Sequence, residues 1–209
     1  MTNFKLKRSY MKLPQRLKEE LSECETVLDL GCGKTSMLHH CEVDFSVGVD
    51  LFDPYLEESK KKGTHNKYIK ADITKIEFEE DEFDGVILMD VLEHLSTEDG
   101  KELLIKAEKW AKMKVVVFTP NGFVYQSDRE ENPLQVHKSG WKPLQLKKLG
   151  FKVRGVEGWK KLYGYNDELE HSSLKFGTLG MVAADITRII TYLFPEYAFG
   201  LWAVWENDK

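Results

Sequence analysis

The feature that most constrains this 209-residue chain is an apolar run that ends abruptly in two glycines, VLDLGCG at residues 27–33. Such a run predicts a buried strand, and the glycines after it allow a tight turn in which the backbone can approach a ligand closely. In open α/β sheets, ligands bind beyond the carboxyl ends of the strands. The segment therefore predicts a ligand site at the end of the first strand of an α/β domain.

The rest of the chain alternates between short apolar runs and amphipathic stretches. Strands that alternate with helices predict a parallel sheet covered on both faces, whose strands read as continuous apolar runs. The last two strand candidates alternate between apolar and polar residues, which favours an antiparallel edge. We therefore expect a doubly wound α/β fold with a seven-stranded sheet, mostly parallel with an antiparallel edge strand. The expected strands are 26–30, 45–50, 67–72, 83–90, 114–120, 151–159 and 198–206, and the expected helices are 15–24, 54–62, 97–112 and 142–149, with another that begins within 34–41.

We expect a single domain, 1–209, with a core of about 24–159 and 196–207 and an insertion of about 160–194. Apolar residues recur at helical spacing between 179 and 193 and predict an amphipathic helix in the insertion. We expect this helix to pack on its own domain or on a second copy of the chain. Two other roles stay open: a cover over a substrate pocket, and contact with membrane lipid. The scarcity of Lys and Arg on its polar face disfavours the lipid role.

Composition argues against several classes of protein. The formal net charge is −5, from 30 Lys and Arg against 35 Asp and Glu, so we expect no DNA partner. The chain has an odd number of cysteines, and their spacing matches no metal-binding pattern: Cys24, Cys32 and Cys41. We therefore expect reduced thiols and no bound metal, and we expect a cytoplasmic location. No apolar stretch suits a signal peptide or a transmembrane segment. The oligomeric state stays open.

Three classes of ligand compete for the turn at 31–33. A dinucleotide motif, G-x-G-x-x-G, matches both glycines but would need its third glycine at Ser36. A phosphate-binding loop finds the sequence GKT at 33–35, but its first glycine would fall on Leu28, inside the strand. The third class is a nucleoside with no phosphate at the turn. A tight turn without any ligand is the remaining alternative.

Carboxylates at successive strand ends favour the nucleoside. Asp29 lies beside the glycines, where it would repel a pyrophosphate but suit a ligand with positive charge. Asp50 ends the second expected strand, where a carboxylate can accept hydrogen bonds from both ribose hydroxyls. Asp72 ends the third expected strand, where it could accept a hydrogen bond from an adenine amino group.

These segments resemble the class I S-adenosylmethionine-dependent methyltransferases, in particular the small-molecule type with a Leu-Glu-His motif (methyltransferase type 11-like). VLDLGCG (27–33), VGVD (47–50), KADI (70–73), FDGVILMDVLEHL (83–95) and VVVFTPNG (115–122) are similar to the successive motifs of that family, and HKSGWKPLQLKKLGFKV (137–153) resembles its later part. The resemblance covers about 26–159, and AFGLWAVWE extends it to the last strand. It implies a Rossmann-like fold.

The resemblance implies S-adenosyl-L-methionine as the cofactor. The glycine turn would lie under the methionine portion, with Asp29 near the ammonium group. Asp50 would hold the ribose, and the residues near the sulfonium would follow the fourth strand. One departure is Thr35, which stands where the family usually has a glycine and crowds the amino-acid end of the cofactor. The residues implied to contact the cofactor are Asp29, Gly31, Cys32, Gly33, Asp50, Leu51, Asp72, Ile73, Met89 and Asp90.

Methyl transfer from a sulfonium is an in-line displacement, so alignment of the acceptor is the main requirement. A general base helps when the acceptor is a hydroxyl or a protonated amine. His94 and His137 are the candidates by position, and a purely structural role is the alternative for each. Glu93 is expected to orient the Leu-Glu-His turn.

The expected function is therefore methyl transfer to an unidentified acceptor, a small molecule rather than DNA. The chain lacks the Asn/Asp-Pro-Pro-Tyr/Phe signature of N-methylation after its fourth strand, and it has no Pro-Cys nucleophile. Two alternatives stay open. One is a non-catalytic S-adenosylmethionine-binding module with a regulatory or scaffold role, and the other is an NAD-dependent oxidoreductase.

Overall fold

The computed structural model of the chain describes residues 8–127, 132–166, 171–174 and 177–207. The strands are β1 (Thr26–Leu30), β2 (Phe45–Asp50), β3 (Lys67–Lys70), β4 (Phe83–Met89), β5 (Ala111–Pro120), β6 (Lys152–Trp159), β7 (Tyr163–Asn166), β8 (His171–Leu174) and β9 (Ala198–Glu206). The α-helices named here are α1 (Leu13–Glu20), α2 (Asp53–Lys62), α3 (Thr97–Trp110), α4 (Pro143–Lys148) and α5 (Gly177–Leu193).

Seven strands form one sheet in the order β3-β2-β1-β4-β5-β9-β6, and β7 pairs with β8 in a second sheet. β1 pairs in parallel with β2 on one side and β4 on the other, and β2 pairs in parallel with β3. The carboxyl ends of these four strands therefore lie at one edge. The predicted fold class is confirmed: a mixed, Rossmann-like sheet of seven strands, mostly parallel with an antiparallel edge.

The chain divides into two compact units, each built from separate segments. One comprises Met1–Met11, Leu92–Thr97 and Phe118–Ala203, and the other comprises Lys12–Val91, Glu98–Val117 and Val204–Lys209. The second unit contains β1 to β4. The single domain expected from the sequence, with its core and insertion bounds, stays a prediction.

A helix does begin within 34–41, but it is short and is not an α-helix. These residues form a loop and a short 3₁₀ helix, Met37–His40. The Ser36 hydroxyl accepts a hydrogen bond from the Leu38 amide at the start of this turn, and it donates one to the buried Asp29 carboxylate. Because the Ser36 side chain is fixed against the interior, the connection follows that bond rather than the local helical pattern.

Small residues let α5 pack closely on β6. A Cβ atom added to Gly155 would lie 2.1 Å from the carbonyl oxygen of Thr191, and one added to Gly158 would lie 2.4 Å from that of Ala184. The buried positions of α5 are Gly180, Ala184, Thr191 and Tyr192. The helix backbone therefore rests almost directly on the strand.

The helix predicted from the apolar spacing at 179–193 exists and packs on β6 of its own unit, but through its small residues and not through its large apolar side chains. Packing of those side chains on a second copy of the chain stays a prediction. The side chains of Leu179 and Ile186 are 78% and 67% exposed, and Val182, Ile190 and Leu193 are exposed as well. The glycines of β6 admit only the small face of the helix, so the large side chains point outward. Among the described residues, no helix is long and apolar enough to cross a membrane.

We expect Gly155→Ala to lower the free energy of unfolding by about 2–3 kcal/mol, because the new methyl group meets a main-chain carbonyl of α5. Gly63→Ala is the matched control. Gly63 has a φ of +64°, but an added Cβ would meet no heavy atom of the described residues within 4 Å, so only a conformational cost of about 1 kcal/mol is expected. Urea unfolding of both variants checks the difference, and equal losses would contradict the close packing of α5 on β6.

Candidate functional site

The turn after β1 has a backbone geometry that glycine adopts readily. Gly31 and Gly33 have left-handed φ angles of +70° and +58°. The amides of Gly31 and Cys32 donate hydrogen bonds to the Val49 carbonyl oxygen of β2, at 2.8 and 3.0 Å. A Cβ atom on Gly31 would lie 2.7 Å from a methyl carbon of Val91. Both the conformation and the packing of this turn therefore depend on glycine.

Asp50 fastens the glycine turn to the loop after β2. Its Oδ2 accepts a hydrogen bond from the Gly33 amide and its Oδ1 accepts one from the Phe52 amide, both at 2.8 Å. Burial raises the pKa of the Asp50 carboxyl, although the amides of Phe52 and Gly33 act in the opposite direction. Each oxygen of a carboxylate can accept two hydrogen bonds, so Asp50 retains acceptor capacity for hydroxyl groups.

The space beside Gly33 is open. A Cβ atom added there would meet no heavy atom of the described residues within 4 Å. Leu51, directly after Asp50, is 41% exposed. An approachable backbone, a carboxylate acceptor and an exposed apolar side chain fit the methionine, ribose and adenine portions of S-adenosyl-L-methionine, respectively.

Asp29 faces the protein interior and is only 2% exposed. Its Oδ2 accepts a hydrogen bond from the Ser36 hydroxyl and lies 3.4 Å from Nε2 of His65. Burial raises the pKa of Asp29 to about 7 and lowers the pKa of His65 to about 4. The predicted contact of Asp29 with the cofactor ammonium group stays a prediction.

The buried network of Asp29, Ser36 and His65 matches no sequence motif. One signal could have pointed to it: Gly48 lies inside a strand, where glycine often marks a close approach. A Cβ atom on Gly48 would lie 2.5 Å from the His65 ring. The glycine of the second motif therefore makes room for this histidine.

Asp72 holds the turn that follows β3. Its Oδ1 accepts hydrogen bonds from the amide and the hydroxyl of Thr74, at 3.0 and 2.7 Å, and its Oδ2 pairs with the Lys75 ammonium at 3.0 Å. Burial acts to raise the pKa of Asp72, but the hydrogen bonds from Thr74 and Lys75 outweigh it and the pKa is lowered. Asp72 and Ile73 are both half-buried. Their contact with adenine stays a prediction.

The backbone turns sharply where β4 ends. Met89 is half-buried, and the exposed Asp90 that follows has a left-handed φ of +54°. Aspartate tolerates this conformation better than most residues, yet it remains uncommon outside glycine. Such backbone strain tends to gather at functional sites, so it supports the prediction that Asp90 belongs to one.

Thr35, the departure from the family pattern, is exposed and held by α2. The Lys62 ammonium donates hydrogen bonds to the Thr35 hydroxyl at 2.7 Å and to the Lys34 carbonyl oxygen at 2.9 Å. The glycine turn is thus fastened by Asp50 on one side and by Lys62 on the other.

The phosphate-binding alternatives lose support. The loop after β1 leads into a 3₁₀ turn and not into an α-helix whose N-terminus could bind a phosphate.

The Leu-Glu-His turn after β4 is held by residues that precede α4. The Leu92 carbonyl oxygen accepts hydrogen bonds from the Ser139 hydroxyl at 3.1 Å and from the Trp141 ring nitrogen at 3.2 Å. The Glu93 carboxylate accepts one from the Thr119 hydroxyl at 2.8 Å. Glu93 therefore anchors the turn, in keeping with its predicted orienting role.

The structure brings the two candidate histidines together. The rings of His94 and His137 lie 4.8 Å apart between centroids, in an edge-to-face arrangement. Nδ1 of His94 lies 3.3 Å from the Val136 carbonyl oxygen, and Nδ1 of His137 lies 2.6 Å from that of Val124. Burial, together with the neighbouring His137, lowers the pKa of His94 to about 4. Proton transfer by either ring stays a prediction.

Comparison with known proteins identifies related sequences. Residues 28–118 match a family described as a methyltransferase domain. A curated relative, tRNA (carboxymethyluridine(34)-5-O)-methyltransferase of Arabidopsis thaliana, is 29% identical over 133 residues. That match covers 62% of this chain and 30% of the relative, so the chain spans less than a third of the relative's length.

Solved structures share the fold. A SAM-dependent methyltransferase from Archaeoglobus fulgidus matches with 20% identity and a TM-score of 0.57, over 99% of this chain and 100% of that one. A Haloferax volcanii methyltransferase, solved in complex with the Trm112 methyltransferase activator, matches with 14% identity and a TM-score of 0.57, over 90% of this chain and 86% of that one. At these identities the structures show a shared fold, and the match of residues 28–118 to a methyltransferase domain agrees with the resemblance seen in the sequence motifs.

The buried Asp29–His65 pair predicts opposite pH dependences in two variants. Between about pH 4 and 6.5, the folded protein holds one proton on Asp29 and the unfolded chain holds one on His65. Both states of the wild type therefore bind the same number of protons, and this pair adds no pH dependence to the free energy of unfolding. In His65→Gln only the raised pKa of Asp29 remains, so the folded state binds one more proton than the unfolded state. The free energy of unfolding therefore falls as the pH rises from about 4 to 7. In Asp29→Asn only the lowered pKa of His65 remains, and the free energy of unfolding rises from about pH 4 to 6.5.

Urea unfolding at several pH values in this window measures both slopes, which are limited to about 1.4 kcal/mol per pH unit for one proton. Slopes of the same sign in the two variants would contradict the assignment of the proton.

Proposed function

We propose that this chain is a class I S-adenosylmethionine-dependent methyltransferase and that it transfers the methyl group to a small-molecule acceptor. The observation that carries the proposal is the glycine turn at the end of β1, which Asp50 fastens through the Gly33 amide at 2.8 Å. This arrangement joins an open stretch of backbone to a carboxylate that can accept ribose hydroxyls.

The residues that would hold the cofactor lie in the unit that contains β1 to β4. The backbone at Gly31 to Gly33 would bind the methionine portion, where the space beside Gly33 is open. Asp50 would accept from the ribose, and the exposed Leu51 would contact the adenine. Asp72, Ile73, Met89 and Asp90 remain proposed contacts from the resemblance.

When bound, S-adenosyl-L-methionine supplies an activated methyl group on a sulfonium. The chain then has to place an acceptor nucleophile in line with that group, and a rigid site serves this alignment. The hydrogen bonds of Asp50 and Lys62 restrain the glycine turn before any ligand binds. No fixed catalytic residue is required for the displacement itself.

The charge of the chain supports a small acceptor over a nucleic acid. The formal net charge of −5 opposes tight binding of a phosphate backbone, which proteins usually bind through Lys and Arg.

We also propose a cytoplasmic location, which the three free cysteines support. Burial raises the pKa of Cys24 and of Cys41 to about 11, so neither thiol is primed for oxidation.

A modified tRNA is the second candidate acceptor. The observation in its favour is the Arabidopsis thaliana relative, whose name gives a carboxymethyluridine of tRNA as its acceptor and which is 29% identical over 133 residues. A local basic surface could serve such an acceptor in spite of the net charge.

A methyl-transfer assay separates these candidates. The protein is incubated with methyl-labelled S-adenosyl-L-methionine and, in parallel, with a low-molecular-mass extract and with total tRNA. We expect label in the small-molecule pool, whereas label in tRNA would overturn the small-molecule proposal. Cofactor binding without transfer to either pool would favour the non-catalytic module, and preference for NAD would favour an oxidoreductase.

Two variants control that assay. Asp50→Ala should lower transfer at least about tenfold, because the ribose loses its acceptor and the Gly33 amide loses its partner. Asp53→Ala makes the same change of charge three residues away, at an exposed side chain that pairs with Lys70 at 3.1 Å, and it should leave transfer unchanged.

A further inference from the structure

A row of apolar side chains runs along the outer face of α5. It consists of Leu179, Val182, Ile186, Ile190 and Leu193, and each of these residues is at least half exposed. Residues that are three or four positions apart lie on the same face of a helix, so the five side chains form one continuous surface. We call these residues the α5 stripe.

The helix cannot turn this stripe toward its own unit. Cβ atoms added to Gly155 and Gly158 of β6 would lie 2.1 and 2.4 Å from carbonyl oxygens of α5, so the helix backbone already rests on the strand. Rotation of α5 would bring its large side chains into a space that holds only small residues such as Ala184. The stripe is therefore presented to a partner in a fixed orientation.

The area of the α5 stripe is sufficient for a specific interface. Each of the five side chains leaves roughly 100 Å² in contact with water, so the stripe exposes about 500 Å² of apolar surface. Apolar patches of this size often mark an interaction surface on a soluble protein. Two such stripes packed together would bury about 1,000 Å², which is the area that a specific interface between proteins requires.

The order of the stripe is the same from either end. Its members are separated by three, four, four and three residues, with Ile186 at the centre. An interface with two-fold symmetry uses the same patch of both copies, and each contact of one residue with another occurs twice. In an antiparallel pair of α5 helices centred on Ile186, every apolar position of the stripe therefore faces an apolar position of the other copy.

The charge of α5 suits an identical helix better than a membrane. Asp185 and Arg188 are its only charged residues, and Nε of Arg188 lies 3.1 Å from a carboxylate oxygen of Asp185. Two copies of this neutral helix can approach one another without like-charge repulsion. Helices that lie on membranes usually carry several Lys and Arg residues along their polar face, and α5 has a single arginine.

We propose that two copies of this chain form a dimer in which their α5 helices pack antiparallel across a two-fold axis at Ile186. In this arrangement Leu179 lies opposite the partner subunit's Leu193. Val182 lies opposite the partner subunit's Ile190 in the same way. The proposal concerns assembly of the chain and does not depend on the proposed methyl transfer.

Sedimentation equilibrium of the full chain tests the dimer. We expect particles of twice the chain mass of 24.2 kDa at micromolar concentrations. Ile186→Lys should raise the dissociation constant at least about 100-fold, because it would bury two ammonium groups beside each other at the two-fold axis. Lysine is a good helix former and the position is exposed in the single chain, so this variant should keep its fold, which circular dichroism verifies.

Ile105→Lys is the matched control. It makes the same substitution in α3, at a residue that is also exposed, and it should leave the dissociation constant unchanged. A folded wild type that remains monomeric at about 100 μM, where even a weak specific interface would assemble, would overturn the proposal. An Ile186→Lys variant that dimerises like the wild type would overturn it as well.

A mixing experiment tests the antiparallel orientation. Leu179→Lys and Leu193→Glu each bury an unpaired charge in the interface, so each variant alone should dimerise weakly. In a mixture, the antiparallel pair places the new ammonium group of one chain opposite the new carboxylate of the other, and a mixed dimer should form. Parallel helices would leave both charges opposite leucine, so no recovery in the mixture would refute the proposed arrangement.

Flotation with vesicles of phosphatidylcholine and phosphatidylserine separates the dimer from the lipid alternative. We expect the dimeric wild type to stay in the fraction without vesicles. A monomeric wild type that floats with the vesicles would overturn the proposal and assign the α5 stripe to a membrane surface.

Discussion

The Asp50 carboxylate is the contact on which the candidate cofactor site depends. One of its oxygens binds the Gly33 amide from the first strand–turn segment, and the other binds the Phe52 amide from the second. Two backbone loops are thereby joined through one side chain, at the edge where parallel strands end together. The same carboxylate keeps acceptor capacity for a ribose, so the group that shapes the site is also a group that can bind the ligand.

The strands were predictable because they are apolar runs bounded by turn residues, and every strand expected from the sequence is present in the sheet. Elements that depend on distant partners were not. The segment 34–41 reads as a helix locally, but the bond from Ser36 to Asp29 fixes it as a short 3₁₀ turn. The outward orientation of the apolar stripe of α5 follows from Gly155 and Gly158 in another element, which no helical pattern can reveal.

Some residues of the candidate site could likewise be predicted from the sequence, and others could not. Glycines and an aspartate at strand ends belong to a recognisable local pattern, so Gly31, Gly33 and Asp50 could be named from the sequence. His65 belongs to no recognisable motif. Folding of the chain brings its Nε2 to 3.4 Å from Oδ2 of Asp29. The pairing of His94 with His137 likewise needs the hydrogen bonds that hold the Leu-Glu-His turn against the segment before α4. Sequence spacing between residues so far apart carries no information on such contacts.

The most direct test of the central claim is a ¹⁵N–¹H spectrum of the labelled protein titrated with S-adenosylhomocysteine, which carries the cofactor's adenosine and amino-acid portions. If the turn fastened by Asp50 is the cofactor site, the amide resonances of Gly31, Cys32, Gly33 and Leu51 should shift first and furthest, and the Gly33 amide should remain hydrogen-bonded. An unchanged spectrum of the folded protein, or shifts confined to residues away from the ends of β1 and β2, would contradict the account.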